Sequence, residues 1–374
     1  MSVNLTQPQL MLHHMAVEFA EKEIKPFDMA IDKKGDFTEG LFEKLVETGF
    51  LGLTLPEEYG GAGFDPISTA QVIYDLATAN ASVAVTLEGH YKTIDQFVNF
   101  GTPALKEKYL PSGSKRIFAF GMTESTGGSN PMGIGATAVK HDDHWILNGN
   151  KIMITNGGLA EVYAVLVKTA PEELSVFVVD KDMPGFKFGK QESFLGLRGT
   201  PVAEIFMENI VVSEDHLLGK LGEGHLIGER AHDDARILMG AVLAGILEHE
   251  LEIATTYAKQ RLAIDKPIIQ LQAIQRKIAD IAIAKENTTL LYQEAARLKF
   301  ECKPYGKVAA MAKAYGSRSA VAAGDDALQV LGGYGYSLEY PIEHLIRDAR
   351  ALEIAEGTVE KMRTEIALAE AAAR

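Results

Sequence analysis

Between Arg116 and Ser213 the chain changes texture, and this change limits the folds open to it more than any other feature. The runs "HWILNGNKIMITNGG", "EVYAVLVKT", "LSVFVVDKDMPGFKFG" and "TPVAEIFMENIVVS" are short, β-branched and aromatic, and Gly, Asn, Asp and Pro separate them. Such a cluster of short strands predicts a compact β domain. The spacing on either side is helical. Upstream, Leu41 with Leu45 and Phe42 with Val46 recur at helical intervals, and Gly49 is a stop signal. "LPEEYGGAG" is a turn-rich connection, after which "TAQVIYDLATANASVAVTLEGHYKTIDQFVNF" resumes the helical pattern. Downstream, "ARILMGAVLAGILEHELEIATTYAKQR" and "GKVAAMAKAYGSRSAVAAGDDALQVLGG" are rich in Ala and Gly, which lets helices pack closely in a bundle. The expected fold is multi-domain α+β. An N-terminal helical domain is expected over 1–117, a middle β domain over 118–221, and a C-terminal helical bundle over 222–374.

Charge and cysteine content narrow the function. A net charge of -14 argues against a nucleic-acid partner, which needs a basic surface, but a small anionic ligand needs only a local cluster of Arg or Lys. No apolar run is long enough to span a bilayer. The opening stretch "MSVNLTQPQLMLHHMAVEFAEKEIKPF" has neither a signal-peptide nor a transit-peptide pattern, so a cytoplasmic location is expected. Cys302 is the single cysteine, which excludes an intrachain disulfide and a four-thiolate metal site.

Several motifs carry little chemistry. "HDDHW", with His141 and His144, reads as a polar hairpin turn before it reads as a metal site. "LGGYGYS" follows a helical run and not a strand, so it lacks the context of a dinucleotide fingerprint. Others carry more. "FGMTESTGGSN" sets Gly127 and Gly128 among the hydroxyls of Thr123, Ser125, Thr126 and Ser129, a loop able to offer N–H and O–H groups to a polar ligand. "IMITNGG" presents Thr155 and Asn156 at a strand end. In "QRLAIDKPIIQLQ", Arg261 and Gln272 can serve one group only if the helix breaks between them, and Pro267 offers a break. In "RDARALEIAEGTVEKMR", Glu356 follows Ile354 and Ala355 and precedes Gly357. It reads either as a helix-end carboxylate, or as a base whose burial raises its pKa toward neutrality.

In order along the chain, these segments resemble the acyl-CoA dehydrogenase family, and the likeness covers nearly all of it. "TESTGGSN" is similar to the family's T-E-P-G-A-G-S-D, "MITNG" to its W-I-T-N-G, and "RLAIDKPIIQLQ" to its R-x-x-F-G-x-P-I…Q. "QVLGGYGYSLEYPIEHLIRDARALEIAEGT" is similar to Q-x-L-G-G-x-G-Y…E-Y-P…R-D-A…Y-E-G-T, the longest and most specific of the four. The resemblance implies an FAD enzyme with a β-barrel-like middle domain and a C-terminal four-helix bundle. It places Phe120, Met122, Thr123, Ser129, Met153 and Thr155 along the flavin or its diphosphate. Arg261, Gln272, Gln329, Gly332 and Gly333 would hold the adenine half of a neighbouring subunit's FAD in a homotetramer, and Thr358 and Glu360 match a further cofactor contact. Ser129, Asp233, Arg236 and Gly357 match substrate contacts.

Glu356 falls on the family's catalytic base, and the other position that carries the base in some members is Ala235 here. The implied reaction is α,β-dehydrogenation of an acyl-CoA to a trans-2-enoyl-CoA, with electrons passed to an electron-transferring flavoprotein. The alternatives are the same site run in reverse as an enoyl-CoA reductase, and a CoA- or flavin-binding protein without turnover. Met153 in place of tryptophan and Ile264-Asp265 in place of Phe-Gly depart from the pattern beside the cofactor. Ala355 in place of tyrosine predicts a wider acyl pocket, and Glu88 matches a position at that pocket's far end.

Overall fold

The computed structural model of the chain describes residues 5–372. Six α-helices come first: α1 (Gln7–Phe19), α2 (Asp28–Lys34), α3 (Leu41–Glu47), α4 (Pro66–Ala77), α5 (Ala81–Phe100) and α6 (Pro103–Tyr109). Their starts are written in the sequence. Asp65, Asn80 and Thr102 each accept a hydrogen bond from the third residue onward, and Pro66 and Pro103 occupy the first helical turn. The helical spacing through "TAQVIYDLATANASVAV" is therefore two helices. Asn80 turns extended and its side-chain oxygen caps Val83 N at 3.2 Å.

The strands are β1 (Phe118–Gly121), β2 (Thr137–His141), β3 (His144–Thr155), β4 (Val162–Ala170), β5 (Glu173–Asp180), β6 (Phe186–Gln191), β7 (Val202–Ser213) and β8 (Leu217–Leu218). They form one mixed sheet in the order β6-β7-β3-β2-β4-β5-β8, with β1 parallel to β4. His141 pairs with His144 across the β2–β3 hairpin and Asp142 takes a φ of 48°, so the "HDDHW" motif is a turn. Val162 to Val167 of β4 and Leu174 to Val179 of β5 are continuously buried, as strands covered on both faces are.

The C-terminal helices are α7 (Gly224–Gln260), α8 (Gln272–Phe300), α9 (Gly306–Leu331), α10 (Ile342–Leu352) and α11 (Val359–Ala372). The first four pack as a bundle and α11 lies along α9. The small residues work as expected: a Cβ on Gly240 of α7 would stand 2.8 Å from Tyr292 Cβ of α8, closer than side chains approach.

Two helices tie the three regions together. Helix α5 lies against β1, where buried His90 accepts from Phe118 N through Nδ1 and donates from Nε2 to Leu51 O, both at 3.0 Å. Burial pushes this imidazole down to about 4, so it stays neutral and both bonds persist. Helix α7 packs on α4, α5, α8 and α9. No helix of the described residues is long and apolar enough to cross a membrane.

Candidate active site

The site forms where α5, the ends of β1 and β3, the start of α7 and the turn after α10 converge. Asn156, just past β3, donates from Nδ2 to Thr86 O of α5 at 2.9 Å and fixes the strand end against that helix. The approach is tight, since a Cβ on Gly89 would lie 3.1 Å from both Thr155 Cγ2 and Asn156 Nδ2. Glu124 is buried under the glycine-rich loop, where it accepts from Gly135 N at 2.6 Å, Ala136 N at 3.1 Å and Lys151 Nζ at 2.6 Å. It is the folding core of "TESTGGSN", a role the sequence reading did not assign.

One crevice brings together Phe120, Met122, Thr123, Met153, Thr155 and Glu356. Glu356 sits in a left-handed conformation (φ 55°), costly for a residue with a side chain and held only where neighbours impose it. Arg236 donates to the Glu356 carbonyl at 3.3 Å, and Lys313 to the Gly357 carbonyl at 2.5 Å. Gly357, at φ 96°, completes the turn.

The electrostatics differ from the expectation of a base raised toward neutrality. Burial does push the Glu356 carboxyl up, but the Lys92 ammonium bonded to it, with the Arg236 guanidinium close by, outweighs burial and holds it below the usual carboxylate range. His232 Nε2 lies 3.8 Å from Glu356 Oε2, and burial pushes that imidazole down to about 4. Lys92 also stands 3.5 Å from Glu88, which is fully buried and so is not a solvated helix charge. Burial raises the Glu88 carboxyl to about 8, against the pull of Lys92. Lys92 escaped the sequence reading. The i,i+4 spacing of Glu88 and Lys92 was its one local signal, and that pattern is common on exposed helices.

Beside the crevice opens a second cavity of about 490 Å³ lined by Ser129, His225, Asp233, Arg236, Lys307 and Lys361. Arg236, Lys307 and Lys361 there can meet the phosphates of a long anionic ligand entering toward Glu356, beside the carboxylates of Glu229, Asp233 and Glu365. Arg236 is held there by Asp233 at 3.1 Å and Glu365 at 2.8 Å. Ala355 is exposed and lines neither cavity, so the geometry lends no support to a pocket widened at this residue. Ala235 is fully buried in α7.

The remaining cofactor candidates lie elsewhere on the chain. Arg261, Gly332 and Gly333 line a separate open cavity of about 600 Å³ with Tyr334, whose ring lies 5.9 Å from the Arg261 guanidinium. Gln272 and Gln329 are exposed outside it. The helix break is a hairpin: α7 ends at Gln260, and Ile264 (φ 47°) and Asp265 (φ 64°) turn the chain between Leu262–Ala263 and Lys266–Pro267. Pro267 lies in one strand of that hairpin, paired with Leu262, and is not the break itself. Thr358 is half-buried beside Gly357, and Glu360 is exposed in the first turn of α11.

The residues at and beside the crevice suit a flavin. Next to it, Thr86 Oγ1 and Asn156 Oδ1 are buried with no hydrogen-bond partner among the described residues. Met153 offers an apolar face that is 54% exposed. Gly332 and Gly333 have open space where a Cβ would be, as a backbone that receives a ligand requires.

Comparison with known proteins agrees along the whole chain. Residues 6–115, 119–210 and 222–370 match the N-terminal, middle and C-terminal domains of acyl-CoA dehydrogenase. An acyl-CoA dehydrogenase of Bacillus subtilis (strain 168) is 39% identical over 368 residues, 96% of this chain and 97% of its own. The acryloyl-CoA reductase (NADH) of Anaerotignum propionicum is 36% identical over 375 residues, 98% of this chain and 95% of its own. A solved chain reported with the electron transferring flavoprotein of Acidaminococcus fermentans, in work on flavin-based electron bifurcation, superposes with a TM-score of 0.96 at 38% identity over 99% of both chains. With three domain matches in the right order and full-length relatives, the chain belongs to the acyl-CoA dehydrogenase family of FAD flavoproteins.

Proposed function

We propose that this protein removes the α proton and the β hydride of an acyl-CoA thioester, with Glu356 as the base. The observation that carries this reading is the placement of Glu356. Its side chain lines the same crevice as Thr123, Met153 and Thr155, on a strained turn pinned by Arg236 and Lys313. FAD, when bound against Met153 and Thr155, supplies the acceptor for the hydride. The protein supplies the rest. Arg236 and Lys313 hold the turn so that the carboxylate faces the crevice. The Glu356 N–H has no main-chain acceptor among the described residues and is free to donate to the thioester oxygen as negative charge develops there. The polar cavity at Ser129, Asp233 and Arg236 receives the CoA portion.

The same groups serve the reverse reaction, because a base that takes the α proton returns it as an acid. The likeness to the acryloyl-CoA reductase of Anaerotignum propionicum favours keeping enoyl-CoA reduction as the second reading. An electron-transferring flavoprotein is the proposed redox partner, supported by the solved relative reported with such a protein. A homotetramer belongs to the same proposal. Arg261, Ile264, Gln272 and Gln329 are all exposed, and the Arg261 cavity shares no lining residue with the Glu356 crevice, so a grip on a neighbour's cofactor gives these residues a use. The deciding experiment is an anaerobic screen of acyl-CoAs for flavin bleaching. A yellow protein that no acyl-CoA bleaches and no enoyl-CoA reoxidises would overturn the assignment.

A further inference from the structure

The groups around Glu356 do unequal work. Helix α5 contributes Lys92 and Glu88, and α7 contributes His232 and Arg236. Lys313 approaches from α9, Glu353 lies just upstream on the turn, and Glu360 and Lys361 lie on α11. Arg236 is engaged with the Glu356 carbonyl, Asp233 and Glu365, and Lys313 with the Gly357 carbonyl. His232 is neutral at ordinary pH. Lys92 is therefore the cation bonded to the carboxylate itself. Its Nζ has a second carboxylate 3.5 Å away in Glu88, which is fully buried and accepts no hydrogen bond at either oxygen among the described residues. A buried acid with both oxygens unserved, one helical turn from a buried lysine, is costly unless it has a use.

On the reading of Glu356 as the base, we propose that Lys92 is a positioning residue with two seats, bonded to Glu356 in the resting site and moving onto Glu88 when the base turns toward the substrate. Lys92 bonded to Glu356 keeps the carboxylate ionised and aimed, but it also occupies the oxygen that must take the proton. Glu88 resolves this conflict. It accepts the ammonium over a short swing within the same helix, so the base is freed without leaving a lysine buried and unpaired. No covalent bond is made or broken in this step; because burial holds Glu88 neutral below about pH 8, the second seat is fully charged only above that pH, where one ion pair is exchanged for another.

The test uses the FAD-loaded protein and its Lys92→Met, Glu88→Gln and doubly substituted forms. The first readout is the rate of α-proton abstraction from a 3-thiaacyl-CoA, which has an acidic α position but cannot deliver a hydride, followed across pH by the long-wavelength flavin absorbance. Glu88→Gln is expected to retain FAD and to slow abstraction by about tenfold or more, the cost of freeing Glu356 from a charge-assisted bond with no second seat. Lys92→Met is expected to move the acid limb of the profile to higher pH, because burial of Glu356 is then uncompensated. The double variant is expected to recover rate relative to Glu88→Gln. A purely structural lysine would lower rates without moving that limb, and an unmoved limb together with a wild-type rate in Glu88→Gln overturns the proposal. Thermal melts without substrate provide a second test, independent of turnover. The stability advantage of wild type over Lys92→Met should grow from acid to neutral pH, and a constant difference counts against the pairing even if no acyl-CoA proves to be a substrate.

Discussion

Arg236 Nε points at the main-chain oxygen of Glu356, 3.3 Å away, and so binds α7 to the turn that carries the proposed base. This contact fixes the backbone of the turn, while Lys92 holds the carboxylate itself. Glu356→Gln keeps the shape and this contact while removing basicity. It is expected to bind FAD and acyl-CoA normally and to lose flavin bleaching by on the order of a thousandfold or more. Stopped-flow reduction under anaerobic conditions measures it, and near-normal bleaching would remove Glu356 from the mechanism.

The buried pair of Glu124 and Lys151 supports the loop over the flavin crevice. Burial lowers the Lys151 ammonium to about 8 even with Glu124 bonded to it. Glu124→Gln should destabilise the protein by about 3 kcal/mol, as breaking one side of a buried ion pair does, and should weaken FAD retention as well. Chemical denaturation and a flavin-release assay report the two effects, and unchanged stability would mean that the pair is not structural.

Arg261→Ala is expected to leave secondary structure intact and to increase FAD loss on dilution. Arg261 is exposed, and its guanidinium rests near the Tyr334 ring and not in the core. Size-exclusion chromatography with light scattering, run beside an FAD-release assay, tests this. An FAD-loaded monomer with wild-type affinity would contradict the subunit-sharing arrangement.

His344 joins Asp28 of α2 to Asp348 of α10, at 2.8 and 3.3 Å, and Asp348 accepts in turn from Leu197 N at 2.5 Å. Burial opposes the imidazolium, but its bonds to two carboxylates win and raise it to about 10. Because the folded value lies above the ordinary 6.5, the stability it lends is complete below that pH and fades as pH climbs through about 10. The wild-type Tm should therefore fall between neutral and alkaline pH. His344→Gln should begin lower and fall less steeply. Parallel slopes would place the alkaline transition on other groups.

What could be read from the sequence followed its periodicity. The helical spacing of Leu41 and Leu45, the β-branched runs after Arg116 and the turn in "HDDHW" each depend on neighbours within a few residues, and each appears where its pattern predicts. Phe120, Thr123, Met153, Thr155 and Glu356 were recognisable because motifs fixed them, and the fold brings them to one crevice. Lys92 was not, because its partner Glu356 is remote in the chain and no local pattern predicts that pairing. The same reason explains why Glu356 looked like a base raised by burial: the sequence shows apolar neighbours and hides the cation arriving from α5. Glu124 stood in plain view within a motif, but its acceptor role appears only once the loop has closed on Gly135 and Ala136.

Helix α7 runs unbroken for 37 residues, about 55 Å at its rise per residue, with Asp233 and Arg236 near its start and Arg261 just past its end. It therefore acts as a ruler between the cavity proposed to receive the substrate and the residues proposed to reach for a neighbour. One residue inserted between Arg236 and Arg261 would turn everything beyond it by about 100° and advance it by about 1.5 Å, so that no side-chain adjustment could keep both ends in register. Length in this stretch is fixed by mechanics, and a lineage that changes its acyl preference has to do so by exchanging side chains on the rod or by altering the loops that it carries.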